Sequence, residues 1–208
     1  MLKRNRDLYI WIGLSIPIIF WTTYGVLSSL RPEYSFKTKA ISELGSVDAP
    51  HLWFWNVFGY ILPGILISIY SYGLHREITG NRGNKWPLIS FIFSGLFMSL
   101  SGVFPADMDN RQSFSSLLHS VGSFGCYIFF LIGAFTYPRQ MKMNPYWKTA
   151  IKPSLIFTWL TILAGSWYVI FPSMPGVGQR IVFFFYLFWF FYTALKIYYQ
   201  KTTHQTIS

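Results

Sequence analysis

His119, Asp107, Asp109 and Glu43 are the residues of this chain best suited to chemistry, and Arg180 is the cation best placed to serve them. A histidine titrates near neutral pH, so it can move a proton or hold a metal through a ring nitrogen. Asp107 and Asp109 stand in Phe104-Pro105-Ala106-Asp107-Met108-Asp109. A D-x-D pair near a histidine offers carboxylate oxygens to a hard or borderline divalent ion. The same aspartates also read as solvated turn residues or, for Asp107, as half of an ion pair. Glu43 lies in Ile41-Ser42-Glu43-Leu44-Gly45, a stretch apolar enough to dip towards a bilayer, with Gly45 placed to end a short helix. Ser42 is a candidate nucleophile or headgroup contact. Arg180 follows Pro175-Gly176-Val177-Gly178-Gln179. Its planar guanidinium suits a phosphate or carboxylate, or an ion pair with Glu43 or Asp107.

Six apolar stretches must position these residues. A membrane-crossing helix needs about 20 apolar residues, and the spans read as about 8–29, 53–75, 88–104, 117–137, 150–171 and 180–199. Hydrophobic residues make up 52% of the 208 and charged ones only 12%, which excludes an ordinary soluble domain. The expected fold is all-α: a single polytopic domain over 1–208, a six-helix transmembrane bundle. The first span is too long for a signal's apolar core and lacks a small-x-small cleavage site, so it reads as a retained helix. Small and polar residues recur at helical spacing: Asn56, Tyr60, Gly64, Ser68 and Ser71 in the second span, Gly95, Ser99 and Gly102 in the third, His119, Gly122, Cys126 and Gly133 in the fourth, Ser154, Thr158, Thr161, Gly165 and Tyr168 in the fifth. Such faces let helices approach closely in lipid and should point into the bundle. Asn56 thereby becomes a candidate ligand contact. The aromatic run Phe183–Tyr192 reads as packing. Trp53, Trp55, Trp86, Tyr146 and Trp147 read as interfacial anchors.

The net charge of +10 sits at span ends, where it orients the chain in a membrane and does not imply nucleic acid. Arg31, Lys37, Lys39, Arg111 and Arg180 fall on one face and the other twelve of the 17 Lys and Arg on the opposite one. Both termini are therefore expected in the cytoplasm, in the cell membrane, with anionic lipids as partners of the basic face. Five of the seven acidic residues, with His51, His119 and Arg180, then gather at the outer end. Such a gathering near hydrocarbon marks pairing or function. The single cysteine, Cys126, lies within a span and permits no intrachain disulfide. No Walker loop, G-x-S-x-G elbow or H-E-x-x-H helix occurs. His75 and His119 belong to opposite faces, so bis-histidine haem is not expected. A divalent ion on Asp107, Asp109 and His119 is the one cofactor these residues suggest.

Four pieces in order carry a resemblance: Ile41-Ser42-Glu43-Leu44-Gly45, Gly102-Val103-Phe104-Pro105-Ala106-Asp107, His119, and Gly176 with Gln179-Arg180. Across essentially its whole length the chain resembles the six-helix membrane family known as domain of unknown function 998. More distantly it is similar to the Frag1/DRAM/Sfk1 group, whose members are tied to lipid-anchor remodelling and lipid organisation. The resemblance implies a lipid-facing role. The leading expectation is a protein that binds or modifies a lipid headgroup at the outer end, with Arg180, Ser42 and Asn56 contacting it. An enzyme of this kind would be a hydrolase or acyltransferase, with His119 as general base, and Asp107 or Glu43 as its orienter or as a metal ligand. The alternatives are a non-enzymatic accessory or scaffold subunit, with a membrane-protein partner or a second copy, and a small-solute transporter.

Overall fold

A segment lying in hydrocarbon must satisfy its own backbone hydrogen bonds, which leaves the apolar stretches of this chain the helix. The structure, a computed structural model, describes residues 2–206, and every regular element among them is helical. Helix α1 runs Leu2–Ser29, α2 Leu52–Thr79, α3 Trp86–Val103, α4 Phe114–Met141, α5 Ile151–Gly165 and α6 Pro175–Thr206. Five of them are long and apolar enough to cross a membrane, and α5 is a shorter apolar helix. The chain is a multi-pass membrane protein. The expected fifth span, 150–171, is interrupted: α5 stops at Gly165, and a separate turn, Trp167–Ile170, follows Ser166. Glycine is a poor helix former with no side chain to hold the last turn, which explains the break.

The helices close a ring. α1 packs on α2, α2 on α3, α3 on α4, α5 on α6 and α6 on α1, while α4 against α5 is the loosest seam. Small residues set the tight contacts. A Cβ on Gly64 would strike the carbonyl of Gly95, and one on Gly95 would strike the carbonyl of Gly64. Ser99 donates across the same contact to Ile61 O at 3.0 Å, and Ser68 to Ile92 O at 3.1 Å. Of the expected inward faces, Gly95, Gly102, Gly122, Cys126, Gly133, Ser154, Thr158 and Thr161 are buried, but Gly165 is exposed at the loose seam. Tyr186, Trp189 and Phe190 of α6 are buried and pack on Phe91 and Phe130. Trp53 and Trp86 are exposed, as anchors should be. Trp55 and Trp147 are not anchors: both are fully buried, because each lies on the face of its turn that meets the bundle.

The segment joining α1 to α2 does not extend into solvent. Its turn of 3-10 helix, Ile41–Gly45, folds over one end of the ring, with Ile41 and Leu44 buried in the core. This end is called the roofed end below. The ends of α1, α3 and α5 and the starts of α2, α4 and α6 lie there, and the roof turn packs on α1, α2 and α6.

Candidate functional site

Pro105 determines the place of His119. The last carbonyls of a helix lack intrahelical partners, and a proline four residues on has no N–H to give. Ser101 is four residues before Pro105, so its carbonyl is left open at the end of α3. His119, one turn into α4, fills the gap. Its Nδ1 lies 2.8 Å from Ser101 O and 3.1 Å from Phe104 O. Carbonyl oxygens only accept, so Nδ1 carries the proton and Nε2 keeps a lone pair. The ring is buried edge-on against Tyr60 at 5.8 Å. Ser101 Oγ returns the contact to His119 O at 3.1 Å and meets Ser123 Oγ at 3.2 Å.

The carboxylates serve the backbone. Glu43 accepts from the N–H of Ala40 at 2.8 Å, closing the roof turn, and pairs with Lys39 at 3.0 Å. Asp107 Oδ1 accepts from the N–H groups of Asp109 and Asn110 at 3.1 and 2.9 Å, the ordinary way an aspartate closes its own turn. Asp109 is exposed. No hydrogen bond or ion pair joins His119 to either carboxylate, and among the described residues no three His, Cys, Asp or Glu side chains group to hold a metal ion. Asp107, Asp109 and His119 thus do not form one donor set. Asn56 is fully buried and donates to Gly45 O at 2.9 Å, tying α2 to the roof. It opens a π-helical turn, Asn56–Ile61, in which the N–H of Leu62 reaches back to Val57 O. The following Pro63 cannot donate, and the wider turn absorbs it. Ser42 lies buried within the roof turn.

Arg180 lies at the centre of the roofed end and pairs with neither expected carboxylate. It is 4% exposed. Nε donates to Tyr24 OH at 2.7 Å, Nη1 to Lys39 O at 2.9 Å and to Gly176 O at 2.6 Å, and Nη2 to Tyr34 OH at 2.7 Å. Four of the five guanidinium N–H groups are thereby engaged. The rings of Phe36, Tyr24 and Tyr34 stand 4.7, 5.1 and 5.3 Å from the guanidinium carbon. Tyr34 passes its own proton to Ala40 O at 2.9 Å. Burial pushes the Tyr34 phenol well above the usual tyrosine range, against the pull of Arg180, so it stays neutral and keeps donating. Arg31 donates to Glu43 O at 2.9 Å and to Glu33 at 2.7 Å, which holds the Glu33 carboxyl below its ordinary value. Gln179 Oε1 accepts from the N–H of Ile41. The roof is thus pinned to α6 by Gln179 and Arg180, while Tyr24 of α1 accepts from Arg180 and sets its ring against Tyr34.

Beneath the roof is a cavity of about 390 Å³. Ala40 and Gln179 mark its upper rim, Ser101 and Ser123 its α3–α4 wall, and Cys126 and Tyr186 its floor. His119 stands behind Ser101 and Tyr60, and Arg180 behind Gln179. The structure therefore gathers Glu43, Ser42, Asn56 and Arg180 in and against the roof, and sets His119 and Asp107 beside the α3–α4 turn. Sequence reasoning missed Tyr24, Tyr34 and Phe36 around Arg180, and the Ser101–Ser123 pair. The proline four residues after Ser101 was the readable sign that its carbonyl needed a donor.

No curated protein and no solved structure matches the chain. One family model does, described as "Protein of unknown function (DUF998)", and it spans residues 15–196, so the chain belongs to that membrane family.

Proposed function

We propose that this protein crosses the cell membrane six times as one domain, with both termini cytoplasmic, and binds an anionic lipid headgroup at its roofed, extracytoplasmic end. The observation that carries the reading is Arg180, a buried cation with no carboxylate partner among the described residues. Removing a charge from water costs several kcal/mol, of the order that only pairing and hydrogen bonding offset. Carbonyl dipoles and ring faces answer part of that cost. The remaining positive potential is what an anionic headgroup at the roof would neutralise. Lys37 and Lys39 are exposed on the roof segment; Lys39 pairs with Glu43, and Lys37 provides an ammonium group for direct contact.

Binding is favoured over catalysis. A general base needs a proton to take and a group to orient it. Glu43 and Asp107 close backbone turns, and His119, though oriented by two carbonyls at Nδ1, is bonded to neither carboxylate. These are the contacts of a scaffold that shapes a site.

The test is mass spectrometry of lipids retained by purified protein, on wild type and on Lys37→Glu/Lys39→Glu. Wild type should carry anionic lipids above their share of the membrane, and the charge reversal should remove the excess. Retained lipids in bulk proportion would sink the reading, and a stoichiometric protein partner with no lipid enrichment would put the scaffold in its place. His119→Asn and Asp107→Asn, where they fold, should leave the retained species unchanged. A chemically altered lipid that depends on His119 would restore the enzyme.

A further inference from the structure

We infer that the cavity below the roof is a slot for one hydrocarbon chain of a membrane lipid, drawn in sideways between α4 and α5. The inference rests on the lipid reading above and names the part of the lipid that enters the protein.

Protein interiors are close-packed, and voids larger than a water molecule are few. A space of about 390 Å³ is in the range of small-ligand sites and far above a packing defect.

Of the hydroxyl residues that line the cavity, Ser101, Ser123 and Tyr186 are already bonded to the protein, which leaves the phenols of Tyr60 and Tyr127. Ser101 and Ser123 meet each other at 3.2 Å, and Ser101 also donates to His119 O. Tyr186 OH meets Ser94 Oγ at 3.1 Å and Cys126 Sγ at 3.3 Å on the floor. Gln179 Oε1 holds the Ile41 N–H, which leaves its Nε2 donor at the rim. A polar solute would find few partners inside, and a cluster of waters would fare no better. Met98, Phe124, Val182 and Phe183 complete an apolar wall.

Access points to the bilayer as the source. α4 and α5 form the loosest seam of the ring, and α5 ends beside the cavity at Gly165. Ser123, Phe124 and Gly165 are exposed on that side, Phe124 at 69%. Gly165 narrows nothing, since it has no side chain. A Cβ there would come within 3.1 Å of Tyr127 OH on the far side of the seam. The medium at this opening in a membrane is hydrocarbon.

Depth fixes what fits. The α6 wall runs from Pro175 to Tyr186, about 16 Å at 1.5 Å per residue, against a hydrocarbon core of about 30 Å. Below it the rings of Phe130 and Tyr186 meet edge to face at 4.8 Å and close the floor. The slot therefore takes part of one chain, with the glycerol region at Gln179 and the headgroup at the roof.

The experiment uses full-length protein in phosphatidylcholine vesicles containing phosphatidylglycerol and a trace of phospholipid with a mid-chain diazirine. After irradiation, adducts are mapped by mass spectrometry. Wild type should be labelled at Met98, Val182 or Phe183. Gly165→Trp, which fills the seam from an exposed position, should lose those adducts while keeping those on the outward-facing Ile128 and Ile132. Val182→Trp, which fills the slot from α6, should do the same. If neither variant folds, the wild-type map decides alone. Adducts confined to Ile128, Ile132 and similar outward residues, with anionic lipid still enriched, would overturn the slot and leave the headgroup reading standing. Cavity adducts without anionic enrichment keep the slot and remove the charge preference. Neither adducts nor enrichment removes both.

Discussion

Arg180 and His119 invite the same question: is a buried ionisable side chain there for a ligand or for the backbone? Arg180 answers with geometry that a lysine cannot copy. A guanidinium reaches Tyr24, Tyr34, Lys39 O and Gly176 O at once, because its donors fan out in one plane. An ammonium keeps the charge and loses the fan. Arg180→Lys should therefore lower folding stability by ~2 kcal/mol, since hydrogen bonds from charged donors are worth about 1.5–3 kcal/mol each and a lysine recovers only some of them. Thermal unfolding in detergent would show it, and an unchanged midpoint would mean that the roof is not pinned by this side chain. His119→Ala leaves the Ser101 and Phe104 carbonyls without their donor, at about 1–3 kcal/mol. Loss of folded protein, with the retained lipid unchanged in what survives, is the expected outcome. A stable His119→Ala protein with altered lipid would return the residue to chemistry.

At the scale of elements, what the sequence disclosed depended on whether the information was local. Helical periodicity is local, so the apolar stretches and their small-residue faces are legible in the sequence. The fold of the roof was not, because Ile41 and Leu44 owe their burial to α6 and α2, elements more than a hundred residues away or beyond a turn. Trp55 misled for the same reason: one turn inside a span looks interfacial until the roof covers it. The break after Gly165 was visible as a glycine but carried no sign that α5 would stop short. Two glycines separate the local from the tertiary effect. Gly25 has nothing within 4 Å of where a Cβ would stand, so Gly25→Ala should only improve helix propensity and stabilise α1 by about 0.5–1 kcal/mol. Gly95 faces the α2 backbone, so Gly95→Val forces the helices apart and should destabilise by about 1–3 kcal/mol or more. Size-exclusion profiles and unfolding midpoints of the pair would test this. Equal behaviour would show that α2 and α3 do not approach as closely as Gly64 and Gly95 indicate.

For the whole molecule, the charge distribution predicts its direction in the membrane. Loops rich in Lys and Arg stay in the cytoplasm. The roofed end holds five of the 17 basic residues, and three of those, Arg31, Lys39 and Arg180, are engaged with the roof turn and its surroundings. The opposite end holds the rest. The native thiol lends itself to a clean measurement: Cys126 is buried, so single-cysteine labelling starts from a quiet background. Lys37 on the roof and Arg82 between α2 and α3 are both exposed, at opposite ends. In intact cells a membrane-impermeant maleimide should label Lys37→Cys and spare Arg82→Cys, which should react only after permeabilisation. The reverse pattern would put the roof in the cytoplasm. It would leave every contact around Arg180 unchanged and move the headgroup site to the leaflet where anionic lipids are most abundant. Labelling of both from outside would mean two insertions of opposite sense, a result the twelve-to-five charge asymmetry argues against.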